Sequence, residues 1–196
     1  MTIYNAEISA GSLMPLESRR IAAFLLTHPD DITWRRTLVE DNLLQKKAPA
    51  TALRQAQLIR KRLNTLDDAA WDMIANREKE VAVQLLLIAT VKHSQLLADF
   101  ISDVYVDHQR RLNLAITPGD WEGFLIECAH RDSSISKWSA STQAKLFQVI
   151  LRILTEAKYL ESTRSMKLTP QSLHPDVRRY LSSHGDSTLL ELLERA

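Results

Sequence analysis

Six basic side chains and no acidic one lie between Asn42 and Leu66, a pattern that suits phosphate binding rather than covalent chemistry. The whole chain carries 25 basic and 24 acidic side chains, a formal net charge of +1. Without these six, 19 basic side chains remain against 24 acidic ones, a balance of −5. The near-neutral average therefore hides a local positive field, which is typical of a nucleic-acid-binding surface. The six are Lys46, Lys47, Arg54, Arg60, Lys61 and Arg62.

The residues able to do chemistry elsewhere in the chain lack catalytic or metal-binding spacing. Cys128 and His130 are two residues apart in a predicted helix, so their side chains point about 200° apart and cannot form a nucleophile–base pair. None of the six histidines has a partner at a metal-ligand spacing such as HExxH. The acidic pairs Asp30-Asp31 and Asp67-Asp68 stand at predicted helix starts, where capping explains them better than metal binding. The sequence therefore predicts no enzyme activity, no metal and no cofactor.

Two predicted helices and a short connection position the basic residues. We predict the second helix of the chain over Asp31–Gln45, a connection over Lys46–Pro49 and a third helix over about Ala50–Leu63, with Pro49 fitting its first turn. A basic amphipathic helix after a connection of about four residues is compatible with a helix-turn-helix, and equally with any helical hairpin. The polar side of the third helix holds Arg54, Gln57, Lys61 and Arg62, interrupted by Leu58.

Composition and periodicity predict an all-α fold, a multi-helix bundle around a buried central helix at about 81–105. The chain is 45% hydrophobic and has only four glycines and six prolines. The run VAVQLLLIATV, Val81–Val91, is apolar nearly all round, and its roughly eleven residues are too few to span a bilayer, which takes about twenty. The central helix is either continuous or broken near His93-Ser94. A single cysteine and the lack of a signal-peptide pattern predict a cytoplasmic protein.

The pattern predicts a main domain over residues 1–160, which contains the helix-turn-helix-like segment 30–64. Thr117 before Pro118 is a strong helix-start signal, and Ser139 or Ser141 is expected to cap a long helix that continues to Leu160. Residues 161–196 are expected to form a C-terminal extension of short helices packed on the main domain. A short strand is compatible with Met166–Thr169.

Two stretches, ISAGSLMPLESRRIAAFLL and DNLLQKKAPATALRQAQLIRKRL, resemble the BrxA family of bacterial BREX (bacteriophage exclusion) phage-defence systems. The most specific part is Asn42–Gln45, followed by Ala50–Ala52 and the Arg-rich helix that ends at Arg62-Leu63. The resemblance implies a small, non-enzymatic, NusB-like helical protein whose associated activity is DNA binding. It also implies BREX partners, among them a DNA methyltransferase, a phosphatase-like protein and ATPases. It transfers no ligand or catalytic residue, so the expected site depends on charge and helix geometry.

We expect the chain to bind duplex DNA mainly through phosphate contacts. Base contact, by Arg54, Gln55 and Gln57, is a weaker hypothesis. Two other functions stay open: a protein–protein adaptor that uses the 141–160 helix or the C-terminal LLELLERA, and RNA binding, which the NusB-like comparison allows. The predicted DNA-contacting residues are Lys46, Lys47, Arg54, Lys61 and Arg62 at the centre, with Arg35, Arg36 and Arg60 as secondary candidates.

Overall fold

The computed structural model describes residues 3–196, which fold into eleven α-helices with short connections. Two 3₁₀ turns, at Glu7–Ala10 and Ser133–Lys137, and a π-helical segment at Ile101–Tyr105 accompany them. The predicted all-α class is therefore confirmed. The helices are α1 (Pro15–Leu25), α2 (Asp31–Val39), α3 (Pro49–Leu63), α4 (Asp68–Asn76), α5 (Lys79–His93), α6 (Gln95–Phe100), α7 (Val106–Arg110), α8 (Pro118–Arg131), α9 (Ala140–Glu156), α10 (Pro175–Ser183) and α11 (Ser187–Arg195).

Contacts divide the chain into two units. The N-terminal unit, Leu13–His93, contains α1 to α5, and the second unit joins Met1–Ser12 to Ser94–Ala196. The boundary predicted near residue 160 lies inside the second unit. That residues 161–196 form an extension of a separate main domain stays a prediction.

Capping residues set the helix starts of the N-terminal unit. Asp30 and Asp67 each accept a hydrogen bond from the backbone N–H three residues ahead, that of Thr33 at 2.7 Å and that of Ala70 at 3.0 Å. This satisfies N–H groups that have no partner inside the helix. Pro49 occupies the first turn of α3, where a missing N–H costs nothing. These local predictions are confirmed.

The predicted second helix, Asp31–Gln45, is wrong at its C-terminal end. In the structure α2 ends at Val39, and a connection of nine residues, 40–48, leads to α3. Asn42 and Gln45 both adopt a left-handed backbone, with φ of 49° and 53°, which a helix cannot accommodate. A three- or four-residue turn is typical of a helix-turn-helix, so the pair is a helical hairpin with a longer connection.

Helix α5 is the core of the N-terminal unit, and every residue from Val81 to Val91 is buried. It does not continue to residue 105 as one helix: it ends at His93, and Ser94 takes an extended conformation and caps α6. Of the two alternatives, the broken helix is therefore correct. Within residues 3–196 no single helix is long and apolar enough to cross a membrane. Only α5 taken together with Gln95–Arg110, across the break, reaches that length and hydropathy.

The second unit is built around α8 and α9. Thr117 and Asp120 form a capping box at the start of α8, and Ser139 caps α9 by accepting from the Thr142 N–H, as predicted. The long helix ends at Glu156 rather than Leu160, because Lys158 has a left-handed backbone with φ of 66°. The strand expected over 166–169 is reduced to isolated bridges, Ala115 with Lys167 and Leu160 with Leu168.

Candidate nucleic-acid interface

The candidate interface lies in the N-terminal unit, on α2, the 40–48 connection and α3. Helix α3 packs against α1, α2 and α5, so only part of its circumference faces solvent. Residues spaced three and four apart share a side of a helix, and Arg54, Gln57, Lys61 and Asn64 form the exposed row of α3 at this spacing.

The structure separates the eight predicted residues into three groups by exposure. Two are partly exposed and engaged with neighbouring side chains: Lys46 and Arg60, whose side chains are 26% and 33% exposed. One, Arg62, is buried. The exposed group, which keeps its charge in solvent, is Arg35, Arg36, Lys47, Arg54 and Lys61.

The expectation that Arg62 lies on the basic surface is wrong. Arg62 is 3% exposed, and Leu58, one turn earlier on the same side, is 5% exposed. Leu58 therefore does not interrupt a polar side of α3; it marks a second buried side. A guanidinium on that side is not accessible to DNA. Gln55 is half-buried, with its side-chain oxygen inaccessible to solvent, so it is also poorly placed for base contact.

Lys46 forms part of the attachment of the connection to α1. Its ammonium donates to the Glu17 carboxylate at 2.6 Å. Burial alone would raise the pKa of Glu17, but the hydrogen bonds from Lys46 and the backbone, together with the charges of Lys46 and Arg20, outweigh it and hold that pKa below its ordinary value. Arg20 donates to the Leu43 carbonyl and to the Gln45 side chain, both at 3.2 Å. The connection is therefore fixed on α1, and the Lys46 charge is partly neutralised.

Arg60 belongs to a stack of planar groups, one from each of the first three helices. The rings of Phe24 and Trp34 are nearly parallel, with centroids 5.6 Å apart and planes 8° apart. The guanidinium carbon of Arg60 lies 4.6 Å from the centre of the Trp34 ring, and Nη1 donates to Asp31 Oδ1 at 3.5 Å. A cation over an indole face is attracted by the ring quadrupole. Arg60 is therefore held in place by the Trp34 ring and Asp31, although the sequence analysis placed it among the secondary candidates.

An open groove of about 530 Å³ separates the exposed sides of α2 and α3. We call it the α2–α3 groove. Three cationic side chains and one carboxylate give it a net positive charge, and an indole, a leucine and two amides complete it. Its lining residues are Asp31, Trp34, Arg35, Leu53, Gln57, Arg60, Lys61 and Asn64. Sequence reasoning missed Leu53 and Asn64 as part of a site.

The second unit also carries cations, some of them paired with carboxylates. Arg111 donates to the Asp107 carboxylate at 2.9 Å, one helical turn away. On α9, Lys145 and Arg152 are exposed, and neither lines the two grooves described for that unit. A groove of about 320 Å³ in this unit is instead rimmed by carboxylates, those of Asp103, Asp107, Asp120 and Glu127.

The structure offers little support for a nucleophile. Cys128 is buried, and burial raises its pKa to about 11, so the reactive thiolate is disfavoured. Within either unit, the part of the chain described here brings no three His, Cys, Asp or Glu ligand atoms together at metal-binding distance. That the protein has no enzyme activity, metal or cofactor stays a prediction.

Comparison with known proteins identifies the family. The BrxA family model matches residues 2–185 of this chain. BREX protein BrxA of Paramagnetospirillum magneticum is 33% identical over 97% of this chain and 96% of its own length. BREX protein BrxA of Escherichia coli O9:H4 is 35% identical over 96% of this chain and 88% of its own length.

The fold agrees with these matches. A crystal structure of an uncharacterized protein from Magnetospirillum magneticum matches with a TM-score of 0.91 at 31% identity, over 99% of this chain and 100% of that one. The resemblance noted in the N-terminal third therefore extends over nearly the whole chain, and the chain belongs to the BrxA family of BREX proteins.

Proposed function

We propose that this protein is a DNA-binding component of a bacterial BREX phage-defence system, and that it binds duplex DNA mainly through phosphate contacts. The observation that carries the proposal is the grouping of exposed cations around the α2–α3 groove. Arg35, Arg60 and Lys61 line it, and Arg54 lies on the same exposed row of α3 as Lys61. Lys47 stands two residues before the start of that helix.

The charge is segregated between the units. Leu13–His93 has 13 basic and 10 acidic side chains, whereas the remainder has 12 basic and 14 acidic ones. Several cations on one rigid pair of helices attract a polyanion more strongly than the same charges dispersed over the surface. Phosphate contacts of this kind give affinity without sequence preference. Base readout by Arg54 or Gln57 would add preference, since both side chains are exposed on α3.

The proposal predicts that DNA affinity falls steeply as the salt concentration rises, and that replacing the cations removes most of this dependence. If Arg35, Lys47, Arg54, Arg60 and Lys61 each neutralise one phosphate, the slope of log K against log salt is roughly −4 to −5. Affinity should then fall about 500-fold between 50 and 200 mM salt. We expect a variant with Arg35, Lys47, Arg54 and Lys61 changed to Gln to bind weakly, with a slope of about −1. A duplex-DNA gel shift across a salt series measures both quantities.

A matched control changes the same number of charges in the second unit. Its substitutions replace with Gln the exposed residues Lys137, Lys145, Arg152 and Arg164. This control should keep the wild-type affinity and slope. Both variants must first show the wild-type circular dichroism spectrum and unfolding midpoint. If the control loses binding and the first variant keeps it, the DNA-contacting surface has been assigned to the wrong unit.

Other features of the role belong to the same proposal. BREX membership suggests other BREX components as partners, and the resemblance names a methyltransferase, a phosphatase-like protein and ATPases. A NusB-like fold, the absence of catalysis and a cytoplasmic location are proposed with it. RNA binding is the alternative that the NusB-like comparison allows. Competition between structured RNA and duplex DNA of equal charge for the same protein separates these two alternatives.

A protein–protein adaptor is the second candidate function, favoured by the surface of the second unit. Leu112 and Leu114 are 85% and 81% exposed on the connection before α8, which is unusual for two leucines so close together. If the quadruple-Gln variant of the N-terminal unit still retains BREX partners in a pull-down, and wild type shows no duplex binding, the adaptor function replaces DNA binding.

A further inference from the structure

We propose that the α2–α3 groove binds an unpaired DNA base, stacked on the outer face of the Arg60 guanidinium. The inference rests on the proposed function, because it concerns the same surface. It adds that the groove distinguishes DNA with an exposed base, such as an overhang or an extruded nucleotide, from continuous duplex. The observations that carry it are the planar stack, the composition of the groove wall and the position of the exposed cations.

Arg60, which covers the Trp34 ring, also lines the groove and remains partly accessible there. Phe24 lies against one side of Trp34, and Arg60 lies over the ring at 4.6 Å. Trp34 is only 9% exposed, whereas a third of the Arg60 side chain is accessible. The guanidinium is therefore more accessible than the ring that it covers, and that ring and Asp31 hold it in position. Guanidinium planes held in this way are surfaces on which unstacked bases pack.

The groove wall suits a base better than a phosphate alone. Gln57 and Asn64 each carry an amide that can both donate and accept hydrogen bonds, as the edge of a base requires. Leu53 adds an apolar contact that a phosphodiester would not use. Arg35 and Lys61 stand on the two helices that line the groove, so they are placed for the phosphates of the strand that carries the base.

Base pairing and stacking explain why the base must be unpaired. Inside a continuous duplex both faces of a base are covered by its neighbours, so neither face can reach Arg60. Extruding a base from a duplex costs a few kcal/mol, and this cost is smallest when the base is already single-stranded. An overhang therefore offers the cheapest ligand for the groove.

The test compares three DNA probes that differ only at one end. The first is a blunt duplex, the second carries a short thymine overhang, and the third carries an abasic overhang of the same length and charge. Fluorescence anisotropy at one fixed salt concentration gives the affinity for each. We expect wild type to bind the thymine overhang about 5- to 150-fold more tightly than the abasic one, the range for stacking one base on a planar side chain.

Two variants distinguish the contribution of the planar Arg60 guanidinium to DNA affinity from the contribution of positive charge. Arg60→Lys keeps the charge and removes the plane, so the ratio of thymine to abasic affinity should fall to about one while blunt-duplex affinity stays within about twofold. Lys61→Gln removes a neighbouring charge and keeps the stack. It should weaken binding to all three probes by a similar factor and leave the ratio unchanged.

Each failure points to a different conclusion. A wild-type ratio near one, with duplex binding retained, overturns the base site and leaves the proposed function in place. An unchanged ratio in Arg60→Lys also overturns the base site, because stacking on the guanidinium would then not be its source. If wild type binds none of the three probes, the proposed function fails and this inference fails with it.

Discussion

Replacing Arg62 with alanine tests the two-sided burial of α3, the feature that most changes the expected surface. Arg62 is 3% exposed and has an interaction partner within the fold. The substitution deletes two buried methylene groups, worth about 0.8 kcal/mol each. It also leaves the partner of a buried cation unsatisfied, which costs about 1–3 kcal/mol. We therefore expect Arg62→Ala to lower the free energy of unfolding by about 3–5 kcal/mol.

Arg54→Ala is the matched control, since it removes the same side chain from the exposed row of the same helix. Surface substitutions of this kind change stability by about 0.5 kcal/mol or less. Urea unfolding followed by far-ultraviolet circular dichroism measures both variants, and equal urea dependence is required for the comparison. Duplex affinity should respond in the opposite sense: Arg54→Ala weakens binding, whereas folded Arg62→Ala binds as wild type does.

The result that would refute this reasoning is the reverse pattern. If Arg62→Ala is as stable as wild type and loses duplex affinity, Arg62 contacts DNA and the second buried side of α3 does not exist in solution. A partial loss of both properties would be resolved by Arg62→Met. Methionine restores a long apolar side chain without charge, and it should recover about 1.5 kcal/mol of stability and no affinity.

Two further predictions concern the second unit. The Asp132 carboxylate accepts from the backbone N–H groups of Ser134, Tyr4 and Ile3, and these bonds lower its pKa to about 2. Because its folded pKa lies below the unfolded value of about 3.9, its stabilisation is complete above that value and is lost as the pH falls toward about 2. The unfolding midpoints of wild type and Asp132→Asn should differ at neutral pH and converge near pH 2, whereas an equal gap at every pH would contradict this. Burial raises the pKa of Cys128 to about 11. The thiol should therefore stay unreactive toward a disulfide reagent at mildly basic pH until urea unfolds the chain. Rapid reaction of the native protein would show that Cys128 is accessible.

Local features of the fold could be predicted from the sequence because their causes lie within a few residues. Asp30, Asp67 and Thr117 cap helices through hydrogen bonds that reach three residues ahead. The apolar run of α5 predicts burial on all sides, since no face of it could remain in water without cost. The location of the basic segment also follows from the order of residues alone.

Helical periodicity gave wrong predictions where contacts between residues distant in the sequence decide which side chains are buried and where a helix ends. An amphipathic wheel assumes one buried side, but α3 packs against three other helices, so Leu58 and Arg62 are buried together. Apolar residues continue through Leu43 and Leu44, which favours extending α2. The left-handed backbone of Asn42 nevertheless ends the helical geometry, and the connection is held on α1 by Arg20.

The candidate site shows the same division. Residue order places six cations in one stretch, and that is enough to predict a positive surface. The tertiary structure decides which of these cations reach solvent and which planar groups support them. Phe24 and Trp34 are 10 positions apart in the sequence, and Trp34 and Arg60 are 26 apart. These three residues meet only because α1, α2 and α3 pack together. The energy of such a stack depends on distance and orientation, which are properties of the folded chain, so no pattern along the sequence could have predicted it.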